Sequence, residues 1–151
     1  NEWDVRGIIH SSSCYHWMGD ADHPAKDWAD VSWLDRQLDA YAEVYPNLVR
    51  HDPGYPTPDY LRGQVRIGNV AYEGDMSAPS PGSDRIVEVL LGPDPSPVWL
   101  LAWGGVNTIA RALKTIEEDH PEHVASVAAK EERILGLIGE MQELLAGGNG
   151  E

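Results

Sequence analysis

The stretch "PVWLLAWGGVNTIARAL", residues 97–113, is the one whose reading decides the fold. Val98 to Trp103 is a continuous apolar run, opened by Pro97 and closed by Gly104-Gly105. Such a run marks a strand buried on both faces, as in a parallel sheet covered by helices. The pattern predicts a central parallel strand over 98–103, with a strand over residues 4–10 as its neighbour. Asn107 is placed to cap the helix that follows, which carries Ile109, Ala110, Leu113 and Ile116 on one face. Ligands of open α/β sheets bind beyond the carboxyl ends of the strands, so the turn from Gly104 to Thr108 is the first candidate for a site. The plain alternative is a tight, well-capped turn that holds nothing.

Working outward, Trp3 to His10 reads as a short strand with Val5, Ile8 and Ile9 inward. A Ser-, Asp- and His-rich loop follows, and long loops in compact domains tend to be functional. Asp30 or Ser32 can cap a helix that carries Leu34, Leu38, Tyr41, Ala42 and Tyr45 and is expected to end at Pro46. Thr57-Pro58-Asp59 opens a short helix through Val65, with Thr57 as cap and proline in the first turn. Residues 68–82 form a second long loop, and Ser83 to Leu91 a helix burying Ile86, Val87, Leu90 and Leu91. After a helix over 107–119, Pro121 starts another that reaches about Leu145. Its apolar stripe of Ile134, Ile138, Met141 and Leu145 is expected to cover a sheet face or to meet another chain. The fold class is therefore α/β, a mostly parallel open sheet with flanking helices. Residues 1–146 form a partial domain of this kind and 147–151 a flexible tail.

The 151 residues contain 11 Lys and Arg against 25 Asp and Glu, a formal net charge of −14. That surface repels nucleic acid and anionic membranes, which are excluded as partners, and suits neutral or cationic ligands and divalent cations. No apolar run approaches the roughly 18 residues of a membrane span, and no signal peptide is visible. Asn1 opens almost directly onto a strand, so the true N-terminus is expected upstream. Cys14 is the single cysteine, which excludes an internal disulfide and a cysteine-based zinc site.

Two clusters are candidates for binding. His10, Ser11, Ser12, Ser13 and His16 stand at and just past a strand end, where hydroxyls and imidazoles suit a polyol such as a sugar. A polar loop around a buried cysteine is the bland reading. Glu73, Gly74 and Asp75, with Asp84 nearby in sequence, place carboxylates on a glycine-flexed loop able to meet a metal or a sugar hydroxyl; a solvated acidic loop is the simpler account. His51-Asp52, followed by Pro53-Gly54, reads as a turn. No Gly-x-Ser-x-Gly elbow supports a serine nucleophile. Six Trp and six Tyr with no Phe pair flat faces with polar handles, a composition suited to sugar stacking as well as to core packing.

Four blocks in order carry a resemblance: "GIIHSSSCYHWMGD", "VYPNLVRHDPGYPTPDYLRGQV", "GDMSAPSPGSDRIVEVLL" and "WLLAWGGVNTIARAL". Together they resemble the nucleoside-hydrolase-like domain of bacterial cellulose-binding proteins, within the inosine-uridine nucleoside hydrolase superfamily. The resemblance implies an open α/β fold, a calcium ion at the strand carboxyl ends, and hydrolysis of N-glycosidic bonds with an aspartate as base. It implies substrate-binding roles for Ser11, Ser12, Ser13, Glu73, Asp75 and Asn107, and a backbone-carbonyl metal ligand at Asn107; His16 joins the substrate-binding candidates from the reading of the Ser/His cluster. The superfamily's Asp-x-Asp-x-x-x-Asp-Asp motif, which supplies the base and most calcium ligands, does not occur in this chain. No catalytic residue is therefore assigned, and neither His10 nor His16 is a natural substitute. The chain is expected to be truncated at both ends relative to the family and to bind calcium weakly on its own. Glycosidic hydrolysis in the intact protein and non-catalytic binding of a carbohydrate such as cellulose are the two functional readings. The implied partners are a sugar, nucleoside or polysaccharide, a homo-oligomer is compatible, and a secreted or periplasmic location follows from the resemblance alone.

Overall fold

A computed structural model describes residues 4–12, 17–25 and 32–130 of the chain. Strand β1 (Ile8–His10) is followed by helices α1 (Ser32–His51) and α2 (Pro58–Gln64), strand β2 (Val65–Ile67), and helices α3 (Pro81–Leu91) and α4 (Asn107–Asp119). A 3-10 turn, Pro121–His123, then leads into helical residues 124–130. β1 and β2 pair in parallel, with Ile8 opposite Val65, Ile9 opposite Arg66 and His10 opposite Ile67. Parallel neighbours need a crossover, and α1 and α2 supply it. The architecture is α/β.

Helix α1 runs through Pro46 to His51 instead of stopping at the proline. Pro46 is exposed, so water can satisfy the carbonyl that its missing N–H leaves free. Tertiary contacts anchor the helix ahead of the proline. Leu34 and Leu38 are buried, Tyr41 donates its hydroxyl to the Pro56 carbonyl at 2.8 Å, and Asp39 pairs with Arg62 of α2 at 2.7 Å. Trp33 meets the buried His10 ring edge-on, with centroids 5.8 Å apart, and so ties α1 to the end of β1.

Helix α2 begins as the sequence predicts, with the Thr57 hydroxyl accepting the Tyr60 N–H at 3.1 Å and Pro58 in the first turn. It ends one residue early because Val65 belongs to β2. A strand of three residues has no periodicity to read, and only the ladder with β1 reveals it. Helix α3 starts at Pro81, two residues before the expected Ser83. Ser80 is its cap: its hydroxyl accepts the Ser83 N–H at 3.2 Å, and the Ser83 hydroxyl accepts the Ser80 N–H at 2.8 Å. This reciprocal box satisfies two donors that a bare helix start would leave open.

The core lies between α3 and α4. Ile86, Leu90, Ala112, Ile116 and Val127 are buried together, with Ile9, Val87, Leu91, Val98, Leu100, Ile109 and Leu113 packed against them. Ala112, rather than the expected Ala110, faces the centre of this cluster. Lys130 closes the far side, donating to the Leu90 and Gly92 carbonyls at 3.0 Å each. A cation there satisfies carbonyls that the C-terminus of α3 leaves without intrahelical partners.

Residues 98–103 are not a strand, which corrects the sequence expectation. Val98 and Leu100 reach the core, but Leu101 is 59% and Trp103 93% exposed. The partner of β1 is β2, and among the described residues no strand offers 98–103 a ladder. An apolar run forms a buried strand only where neighbours cover both its faces and both its edges. The stripe at Ile134, Ile138, Met141 and Leu145 lies outside the described residues.

Candidate functional site

The carboxyl ends of β1 and β2 converge with the start of α4. Gly68 donates its N–H to the His10 carbonyl at 2.7 Å, Ser12 donates to the Asn69 carbonyl at 3.1 Å, and Met18 donates to the Val70 carbonyl at 2.6 Å. The parallel pairing thus continues past both strands as a run of main-chain bonds. Three glycines permit the approach. A Cβ on Gly68 would stand 2.5 Å from Thr108 Oγ1 and 2.6 Å from the His10 carbonyl oxygen. One on Gly82 would stand 2.7 Å from Ile9 and 2.8 Å from the Gly68 Cα. One on Gly105 would overlap the Ser12 carbonyl oxygen outright. Gly105 is the second glycine of the turn singled out in the sequence, and close backbone contact is its reason for being glycine.

At this crossing, side chains close a directional ring. The Asn69 N–H donates to Thr108 Oγ1 at 2.9 Å. Ser11 Oγ donates to Asn107 Oδ1 at 2.7 Å, so the 3.0 Å contact between Ser11 Oγ and Thr108 Oγ1 takes its proton from Thr108. Asn107 Nδ2 donates back to the Asn69 carbonyl at 2.9 Å and also to the Asp75 carbonyl at 2.8 Å. The ring starts and ends on the Asn69 main chain, and it fixes the Asn107 amide orientation and both hydroxyl rotors. Asn69 is itself held outside the ring. Its Nδ2 donates to the Ala78 carbonyl at 2.7 Å, and its Oδ1 accepts Ser80 Oγ at 2.8 Å. The ring therefore connects β1, β2, the loop before α3 and the first turn of α4.

Asn107 is not the expected helix cap. Val106 holds the cap position without a side-chain bond, and Asn107 is the first residue of α4. Its amide has two carbonyls and a hydroxyl to satisfy within the ring, and a cap would serve one N–H. Asp75 is buried but enters the ring only through its main chain. Its carboxylate turns to Ser77, whose hydroxyl and N–H donate at 2.7 and 2.9 Å. Burial pushes the Asp75 carboxyl up, but bonds from Ser77, the Ala71 N–H and the Tyr72 hydroxyl outweigh it and hold the group below its ordinary range.

Glu73 stands exposed in the turn from Tyr72 to Asp75, whose third residue, Gly74, has φ 76°. That positive φ suits the third position of a type II turn, which favours glycine. Ser12 lies alongside the ring, fully buried, and its Oγ has no hydrogen-bond partner among the described residues. Ser13 and His16 lie outside the described residues. His51-Asp52 is the turn it was read as, with Asp52 Oδ1 accepting the Gly54 N–H at 2.7 Å. The structure thus brings together Ser11, Ser12, Asp75 and Asn107 from the sequence candidates and leaves Glu73 at the rim. It adds Asn69, which the sequence reading missed because it follows a strand too short to recognise, and it gives a role to Thr108, the last residue of the turn singled out in the sequence.

Every link of the ring is an amide, a hydroxyl or a main-chain group. Such groups bind and orient neutral hydroxyls; they do not take up a proton near neutral pH. Calcium would need 6–8 oxygens, usually several of them carboxylates. Among the described residues no three His, Cys, Asp or Glu side chains gather, and the Asp75 carboxylate is engaged by Ser77. The described residues alone do not compose a calcium site, and no step is derived through the ion.

Comparison with known proteins agrees with this arrangement. None of the curated proteins matches the chain. A solved structure titled a nucleoside hydrolase-related hypothetical protein from Saccharophagus degradans, associated with carbohydrate metabolism, superposes with a TM-score of 0.72 at 32% identity. The match covers 86% of this chain and 30% of that one, so the chain spans about a third of the length of its structural relative. The family described as "Cellulose-binding Sde182, nucleoside hydrolase-like domain" matches residues 1–137. With the family's description covering all but the last residues, and with parallel strands whose carboxyl ends carry the polar ring, the chain belongs to the nucleoside hydrolase-like domain family of the cellulose-binding protein Sde182.

Proposed function

We propose that this chain is a carbohydrate-binding unit whose ligand hydroxyls are met at the carboxyl ends of β1 and β2. The observation that carries the reading is the ring of Ser11, Asn69, Asn107 and Thr108, which is rigid, uncharged and built from groups that both donate and accept. Ser11 is half-buried, so a ligand can reach the rim of the ring. The buried Ser12 hydroxyl beside it has hydrogen-bonding capacity left over. The net charge of −14 favours a neutral ligand over a phosphorylated one. Hydrolysis of N-glycosidic bonds requires a base placed to deprotonate water, and no ring residue is one. Binding therefore stands ahead of catalysis for these residues, and a hydrolytic step in a longer protein would draw its base from elsewhere.

The test is calorimetric titration of the 151-residue chain with cellohexaose and with inosine at about 0.15 M salt, where diffuse charge effects are screened beyond roughly 8 Å. Saturable one-to-one binding of the oligosaccharide, weakened by S11A, is expected, with no release of hypoxanthine from inosine. Turnover of inosine would overturn the reading. In parallel, a calcium titration is expected to show weak binding without a defined stoichiometry, and tight one-to-one binding would demand a ligand set that the ring does not contain.

A further inference from the structure

Between Lys114 and Lys130 the chain has no Lys or Arg, and Glu117, Glu118, Asp119 and Glu122 surround two imidazoles, His120 and His123. The end of α4 sets both rings. His120 closes the helix, its N–H donating to the Ile116 carbonyl at 2.9 Å, and Pro121 then starts the 3-10 turn. His123 donates its N–H to the His120 carbonyl at 2.9 Å. Residues three apart eclipse in a 3-10 turn, so this His-x-x-His spacing puts both rings on one edge. Their centres stand 6.4 Å apart with the planes inclined at 55°. The Ser126 hydroxyl donates to the His123 carbonyl at 2.8 Å and holds the turn from its other side. Both residues remain open to solvent, His120 half-buried and His123 exposed.

We propose that His120 and His123 chelate a divalent cation of the zinc, nickel and copper class. Neutral imidazole is the commonest protein ligand for such ions. Two imidazoles that share one ion at about 2.1 Å hold their ring centres roughly 5–6.5 Å apart. The observed separation lies at the upper end of that range, and a small turn of the exposed His123 ring brings a nitrogen of each onto one ion. The main chain of both residues is already fixed, so little freedom is lost on binding. Charge acts in the same direction. The C-terminal end of α4 carries the negative pole of the helix. Glu118 pairs with Arg111 at 2.7 Å and with Lys114 at 3.6 Å, while Glu117, Asp119 and Glu122 stand exposed. The Glu122 carboxylate lies 3.6 Å from His123 Nε2, beyond hydrogen-bond reach but near enough to lend its charge. Among the described residues no third His, Cys, Asp or Glu completes a cluster, so water fills the remaining positions. Nitrogen donors select against calcium, which takes oxygen. The 13 residues of α4, about 20 Å of helix, separate this pair from the polar ring, so the site does not depend on the carbohydrate-binding reading.

The 151-residue chain and its H120A, H123A, H120A/H123A and H51A variants are titrated calorimetrically with zinc chloride at about 0.15 M salt, with and without an excess of calcium. Wild type is expected to bind one zinc ion at this site, and calcium should not displace it. H120A and H123A should each lose tenfold or more in zinc affinity. The double variant should bind no more weakly than either single one, because losing one ring already breaks a chelate. H51A, which removes an exposed imidazole at the end of α1, should bind like wild type. Wild type without saturable zinc binding overturns the proposal, and so do H120A and H123A that bind as wild type does. An equal loss in H51A assigns the ion to scattered surface imidazoles and overturns it as well. Should H120A melt early, H123A and H123Q decide the question, since that side chain is exposed and its removal leaves the fold intact.

Discussion

The crossing at the ends of β1 and β2 and the segment over 97–106 are both made of uncharged residues, and both lie at the same end of the sheet. They differ in what their main chains do. At the crossing, glycines at 68, 82 and 105 let backbones touch, and each polar group of the ring finds a partner within 3.0 Å. Along 97–106, Val98 and Leu100 enter the core while Leu101, Trp103 and Val106 face water. Hydrophobicity alone therefore does not place a segment inside. The polar crossing is more thoroughly buried than the most apolar run in the sequence because its hydrogen bonds are satisfied internally.

The largest expected effect comes from filling the gap at the crossing. Gly105→Ala forces a Cβ into the Ser12 carbonyl, which is main chain and cannot rotate aside. A loss of at least about 3 kcal/mol, read from urea unfolding, is expected for such overpacking. An unchanged midpoint would show that the two segments do not meet as described. Asn107→Ala comes next. It removes the Asn107 bonds to the Asp75 carbonyl, to the Asn69 carbonyl, which keeps the Ser12 N–H, and to the Ser11 hydroxyl, which keeps Thr108, at about 2 kcal/mol for buried groups of this kind. Substitution of Asn107 by Asp should not rescue the loss, since it replaces the donor with a second acceptor.

Asp75 gives the comparison a pH dependence. Its carboxyl is held below the ordinary aspartate value of 3.8 by bonds that outweigh its burial. A group depressed in the folded state stabilises fully above its unfolded value, and the contribution is lost as pH falls through the lower folded value. Wild type should therefore lose stability in acid relative to D75N, and the two should converge once pH has fallen below the depressed folded value; parallel melting curves from pH 7 to 2 would contradict this. A smaller effect of opposite sign is expected at Gly63, in α2, where an added Cβ meets nothing within 4 Å. Gly63→Ala should gain about 0.5–1 kcal/mol from helix propensity. The smallest is Leu101→Ser on the exposed run, expected within about 0.5 kcal/mol of wild type. A large destabilisation there would mean that Leu101 is covered in solution.

Helices were legible where local chemistry sets them. Thr57-Pro58 opens α2 where the sequence puts it, because a cap and a proline act within one turn; α4 starts at the expected residue but without the expected cap. The end of α1 was misread: a proline removes one intrahelical bond, and with Pro46 exposed to water the helix continues to His51. The candidate site was legible in Ser11, Ser12, Asp75 and Asn107, polar residues at loop positions flanking apolar elements. Thr108 lay in the turn singled out as the first candidate, without a role of its own, and Asn69 had no local signal.

Composition, charge and local pattern are properties of the chain read residue by residue. They sufficed for an acidic α/β domain, its helices, and the family to which its ordered blocks belong. Three features depended on segments far apart in sequence: the pairing of Ile8–His10 with Val65–Ile67, the ring closing through Asn69, and the exposure of Trp103. A three-residue strand exists only through its neighbour, and a hydrogen bond over 96 residues, as between Ser11 and Asn107, exists only once the backbones have crossed. Burial likewise is decided by what packs against a residue, and in an apolar run such as 98–103 the side chains do not carry that information themselves.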